Sequence, residues 1–103
     1  MEIIEINSIN FEDEVINNKK RVLVDFNASW CGPCRMLRPV LEDIASNRND
    51  IDICSINVDD EEVLAQKYGV MSIPCLILFE NGNEISRSVG FKPKEEIERF
   101  IGE

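Results

Sequence analysis

The segment Arg21-Val22-Leu23-Val24-Asp25-Phe26-Asn27-Ala28-Ser29-Trp30-Cys31-Gly32-Pro33-Cys34 changes character partway along. Its first six residues are rich in β-branched types and apolar enough for a central strand, with Asp25 the one interruption. From Pro33 to about Ser46 the period becomes helical, with Leu37, Val40, Leu41 and Ile44 at i, i+3, i+4 and i+7. Cys31 and Cys34 therefore lie where a strand gives way to a helix, and a Cys-x-x-Cys at such a junction reads as a redox dithiol. The chemistry needs that place. Residues three apart at a helix start have Cα atoms about 5–5.5 Å apart, inside the window for a disulfide. The free N–H groups and dipole of the helix N-terminus favour a thiolate at Cys31, with Cys34 further into the turn and more buried. Pro33 donates no backbone hydrogen bond and stiffens the loop that aligns the two thiols.

Segments of two periods alternate on either side. Upstream, Ile3, Ile4 and Ile6 begin a short strand. Asn10 then reads as an N-cap with Asp13 three residues on, and Phe11, Val15 and Ile16 mark one helical face. Downstream, Asn47 to Asp50 is a polar loop, and Ile51 to Val58 returns to strand alternation. Asp59-Asp60 offers a cap for a short helix through Val63, Leu64, Lys67 and Tyr68, closed by Gly69. Leu76 to Phe79, Asn81-Gly82 and the alternating Ile85, Arg87 and Val89 form a β-hairpin, Asn-Gly being the preferred type I′ pair. Pro93 opens a last helix whose Ile97, Phe100 and Ile101 face inward. The order β-α-β-α-β-α-β-β-α predicts an α/β fold, a central mixed five-stranded sheet flanked by four helices, as one domain over residues 1–103.

The 103 residues carry 11 Lys+Arg against 20 Asp+Glu, a net charge of −9. So acidic a surface repels phosphate backbones and anionic headgroups, which argues against nucleic acid and membrane surfaces as partners. No apolar run approaches the ~20 residues of a membrane span. Met1-Glu2-Ile3-Ile4-Glu5 does not resemble a secretory signal, so a cytoplasmic setting is expected. Histidine is absent, which removes the usual general base and a principal zinc ligand. Half of a zinc site, or a purely structural pair, are the rival readings of the cysteines. Cys54 and Cys75 lie far apart on predicted strands and form no second knuckle, so no metal is expected.

Two further residues fit the redox reading. Asp25 is either solvent-facing or a buried acid; beside the cysteines the second reading gains, because a carboxylate of raised pKa takes the proton of Cys34 when that thiol must attack. Pro74 in Ser72-Ile73-Pro74-Cys75 either simply opens a strand or forms a cis bond that turns a backbone edge toward the dithiol, where an extended substrate can pair with it.

Taken together, Asp25, the string Trp30 to Cys34, Pro39 inside the long helix, Ile73-Pro74, Asn81-Gly82 and Gly90 resemble the thioredoxin family over essentially the whole chain. The resemblance implies the thioredoxin fold, a cis Pro74, a kink at Pro39, and an apolar groove for substrate proteins bordered by Trp30, Ile73, Pro74, Val89 and Gly90. It implies reduction of protein disulfides by Cys31 as nucleophile and Cys34 as resolving thiol, with Gly32-Pro33 between them favouring a reductant over an oxidant or isomerase. No cofactor is bound. The Cys31–Cys34 disulfide is recharged by a thioredoxin reductase, either a flavin enzyme using NADPH or a ferredoxin-dependent one, and a monomer is expected. Three positions depart from the family pattern. Asn27 replaces a common tryptophan and weakens apolar shielding of Asp25. Ser55 stands where a lysine often pairs with that aspartate. Cys75 replaces threonine and puts an extra sulfur near the site, as a plain strand residue or as an oxidation-sensitive thiol. Cys54 reads as core.

Overall fold

In the computed structural model, which describes residues 2–102, five strands form one sheet: β1 (Ile4–Glu5), β2 (Arg21–Asn27), β3 (Ile51–Asn57), β4 (Cys75–Glu80) and β5 (Asn83–Val89). Their order is β1-β3-β2-β4-β5, with β3 parallel to β1 and β2, and β4 antiparallel to β2 and β5. Three α-helices, α1 (Gly32–Asn47), α2 (Glu62–Lys67) and α3 (Lys94–Ile101), and one π-helical turn at Glu12–Ile16 complete the fold. This is the mixed five-stranded sheet with four helical segments that the periodicity predicts.

Strand β2 is central, and Val22 to Phe26 are buried on both faces, which is why the run is almost continuously apolar. On one face Leu23, Ile53, Leu76 and Leu78 pack against Leu37, Leu41 and Ile44 of α1 and Ile97 and Ile101 of α3. On the other, Val22, Val24, Phe26, Ile56, Ile77 and Phe79 pack against Phe11, Val15 and the α2 residues Leu64 and Ala65. Tyr68 closes that second core edge-on to Phe79, with ring centroids 5.3 Å apart. Strand pleating therefore assigns each side chain of β2 to one core or the other by parity alone.

Local signals of the sequence are met with four adjustments. The first helix is not capped by Asn10. Asn7 Oδ1 accepts from the N–H groups of Ile9 (2.8 Å) and Asn10 (3.0 Å), and Asn10 Oδ1 accepts in return from Asn7 N–H. The following turn is wound as a π-turn, closed by Asn17 N–H donating to Glu12 O. A single turn has too few hydrogen bonds to enforce α winding, so the burial of Phe11 and Val15 decides it. Likewise Asn57 rather than Asp59-Asp60 starts the next helical segment, its Oδ1 accepting from Asp59 N–H at 2.8 Å and Asp60 N–H at 3.3 Å. A short amide side chain at a strand end reaches the N–H two residues on, and the first α-helical residue becomes Glu62. Pro93 sits one residue outside α3, at its N-cap. Finally, Asn81 and Gly82 take φ of 54° and 81°, as a type I′ turn requires, but the register shifts at Leu78/Phe79 and leaves Ile85 unpaired. The alternation of Ile85, Arg87 and Val89 marks the outward face of an edge strand, where all three are exposed.

Candidate active site

The site lies at the carboxyl ends of the parallel strands β2 and β3, where α1 begins. Cys31 is the N-cap of α1, with extended backbone (φ −90°, ψ 110°), and its Sγ accepts the Cys34 N–H at 3.2 Å. Cys31 and Cys34 form a disulfide across a Cα–Cα distance of 5.2 Å. Pro33 occupies the first turn, where a missing N–H costs nothing. The two cysteines are almost equally covered, 5% and 4% exposed, rather than Cys34 being the deeper. Ala28, Val58 and Ile73 pack around both, which shields Cys31 as well.

The groove residues come together through the β4–β5 pair. The Ile73–Pro74 peptide is cis, directly before β4. Pro74 O accepts from Gly90 N–H at 2.8 Å, and Cys75 pairs with Val89. Gly90 has φ +95°, which an L side chain rarely adopts. Ile73 thus touches the dithiol while Val89, half-exposed, lies beside Pro74. Trp30 is 66% exposed, yet its Nε1–H donates to Asp59 Oδ2 at 2.8 Å, which holds the indole beside the cysteines. Asp59 was legible in the sequence only as a helix cap.

Asp25 is 2% exposed, on the α1 face of β2. It is buried although the polar Asn27 stands beside it. Burial raises its pKa to about 7; the Arg38 guanidinium and a hydrogen bond from Asn27 pull the other way, and Glu5 adds to the rise. Asp25 and Cys34 share a cavity of about 160 Å³, lined also by Asn27, Ala28, Ser29, Arg35 and Arg38. Arg38 escaped the sequence reading, although it lies one turn after Cys34 on α1, the spacing that places both over the same patch of sheet. Its charge is shared with Glu5 (2.8 Å) and Glu42 (3.2 Å).

Of its two readings, Cys75 takes that of a plain strand residue. It pairs with Phe26, and its side chain joins Phe26, Cys54 and Phe79 in the core on the opposite face from Asp25. Its burial is nearly complete at 1% exposure and pushes its thiol pKa up; Cys54, fully buried, is pushed up to about 12. A buried, protonated thiol is inert. Native reduced protein treated with an alkylating reagent near neutral pH is accordingly expected to be labelled first at Cys31, whose thiolate the helix N-cap favours. Cys54 and Cys75 should react only once denaturant is added, and mass mapping of the labelled peptides checks this.

Among the described residues no three His, Cys, Asp or Glu side chains are grouped to hold a metal ion, and no helix is long and apolar enough to cross a membrane. A dithiol at a helix N-cap, a cis proline beside it and a buried carboxyl behind it define a protein thiol–disulfide oxidoreductase. The chain belongs to the thioredoxin family, whose model matches residues 2–103. It is 48% identical over 96 residues to a thioredoxin of Chlamydia pneumoniae, covering 93% of this chain and 92% of that one. With a thioredoxin of Porphyra purpurea the identity is 42% over 102 residues, covering 98% and 95%. A bifunctional thioredoxin reductase/thioredoxin of Mycobacterium leprae is 43% identical over 101 residues, which cover 97% of this chain and 22% of that protein.

Proposed function

We propose that Cys31 is the nucleophile, Cys34 the resolving thiol and Asp25 the proton acceptor for Cys34 in the reduction of substrate-protein disulfides. The Cys31 thiolate attacks one sulfur of the substrate disulfide, forming a mixed disulfide and releasing the other substrate sulfur as thiolate. Cys34, giving its proton to Asp25, then attacks Cys31 Sγ; the Cys31–Cys34 bond forms and the second substrate sulfur leaves. Two electrons pass from the dithiol to the substrate. Gly32 and Pro33 keep the two sulfurs at bonding distance throughout. The substrate segment lies extended against Trp30, Ile73, Pro74, Val89 and Gly90, a surface that combines the exposed Trp30 and Val89 and the half-buried Ile73 with the backbone at the buried Pro74. Recharging falls to a thioredoxin reductase that draws on NADPH through a flavin or on ferredoxin. The fused reductase in the M. leprae relative supports such a partner. Two buried cysteines left unpaired fit a reducing, cytoplasmic setting.

The observation that carries this reading is the division of labour in the geometry: Cys31 holds the helix N-cap, where an anion is stabilised, while Cys34 shares its cavity with Asp25. Replacing Cys34 with serine is expected to stop the reaction at the first step. The variant should accumulate a mixed disulfide with a substrate protein, seen as a dithiothreitol-sensitive adduct on non-reducing gels and mapped by mass spectrometry to Cys31. A Cys34→Ser protein that turns over normally would remove Cys34 from the mechanism.

A further inference from the structure

We propose that Asn27, held in place by Ser55, is a positioning residue that fixes the Asp25 carboxyl through its Oδ2 and leaves Oδ1 free for the proton of Cys34. The inference rests on Asp25 serving Cys34 as its base. Asn27 follows Asp25 by two residues on the same face of β2, and Ser55 lies directly across on β3, in register with Asp25. Asn27 Nδ2 stands 2.8 Å from Ser55 Oγ, 2.9 Å from Asp25 O and 3.4 Å from Asp25 Oδ2. Its two protons meet three acceptors, so one is shared. The short bond to Ser55 takes the first proton, and the second lies between the carbonyl and the carboxyl oxygen of Asp25. With the amide reversed, its oxygen would face the Asp25 carbonyl and, once Asp25 ionises, its carboxylate, two acceptors that repel it.

Asn27 is the one hydrogen-bond donor to the Asp25 carboxyl among the described residues, and Oδ1 has no partner at all. The charged groups that face Asp25 are Arg38 from α1 and Glu5 from β1. Arg38 is engaged by Glu5 and Glu42 and supplies attraction at a distance, without a hydrogen bond to Asp25. The shared proton of Asn27 is therefore the contact that can tighten as Asp25 ionises, because a charged acceptor competes better than a neutral carbonyl. It also fixes which oxygen stays available. Two polar residues that depart from the family pattern at separate places in the sequence thus act on Asp25 as one device.

The test is a carbon-13 NMR titration of the Asp25 carboxyl in the oxidised protein, with no substrate present, for wild type, Asn27→Leu, Ser55→Ala and the double variant. Leucine keeps the branching of asparagine and removes the donor without opening the site to water. Asn27→Leu is expected to raise the titration midpoint, the proton binding on the order of threefold more tightly, as suits the loss of one long hydrogen bond. Ser55→Ala should move the midpoint the same way by less, and the double variant no further than Asn27→Leu alone. Release from a pre-formed mixed disulfide should shift its pH profile in parallel. An unmoved midpoint in Asn27→Leu, or two effects that simply add, overturns the inference. A midpoint that moves while the release step keeps its wild-type pH profile upholds the coupling of Asn27 to Asp25 and removes Asp25 as the base of Cys34, so the two readings fail separately.

Discussion

Replacing Cys31 with serine should bring the dithiothreitol-driven reduction of insulin disulfides down to the rate without protein, while the wild-type chain accelerates it strongly. The expectation follows from where the sulfur sits. Cys31 is the N-cap of α1, and the groups that would stabilise its thiolate, the helix dipole and the Cys34 N–H, point at that atom alone. A serine hydroxyl stays protonated there and cannot attack sulfur. Cys34 is no substitute. It lies past the N-cap, inside the first turn of α1, with its sulfur on the cavity shared with Asp25, so it lacks the N-cap stabilisation that favours a thiolate at Cys31. The comparison also separates catalysis from docking. The apolar surface of Trp30, Ile73 and Val89 is untouched by Cys31→Ser, so a protein acting only by binding would lose nothing. Retained acceleration in the variant would move the nucleophile elsewhere. A folded wild type that accelerates nothing would leave the fold standing and restrict the chain to a narrow set of substrates.

What the sequence discloses and what it withholds divide along a physical line. The strand-to-helix junction at Cys31 and the hairpin at Asn81-Gly82 are legible because period and turn chemistry are local properties. The cap at Asn7 is not, since Asn7 and Asn10 are chemically equivalent candidates and only the folded chain decides which amide accepts. Facing is harder still. Cys75 follows Pro74 immediately, which in sequence suggests proximity to the dithiol. Its pairing with Phe26 gives it the parity of the opposite core, one residue out of step with Asp25 and Leu76. Such a parity is fixed by register between strands fifty residues apart and cannot be read from either strand alone. The same holds for Asn27 and Ser55, which look like two unrelated losses until β2 and β3 are laid side by side. Arg38 becomes relevant only once α1 is placed across the end of β2.

The buried carboxyl gives the largest expected change in stability. Asp25 titrates at about 7 in the folded protein against an ordinary 3.8, chiefly because burial disfavours its charge. Between those two values the folded state holds a proton that the unfolded chain has released. Stability therefore falls as pH rises through this window, and above pH 7 the full cost of a buried charge is felt, on the order of 4 kcal/mol. Asp25→Asn keeps the shape and removes the charge. Guanidinium unfolding of the oxidised protein at pH 8 should show the variant more stable by several kcal/mol, with a difference that shrinks steadily as pH falls and vanishes below the ordinary value of 3.8, where wild-type Asp25 is protonated in both states. A pH-independent difference would mean that the gain comes from packing, and no difference at pH 8 would mean that water already solvates the carboxylate through the cavity beside Cys34. The same substitution deprives Cys34 of its base, so release from the mixed disulfide should slow most at neutral pH and recover as the medium becomes alkaline enough to ionise Cys34 directly. A residue that costs the fold this much while buried 2% exposed between two packed layers makes sense at that position through the proton it carries, and the opposite signs of its two effects, stability gained and turnover lost in one variant, are the measurable form of that argument.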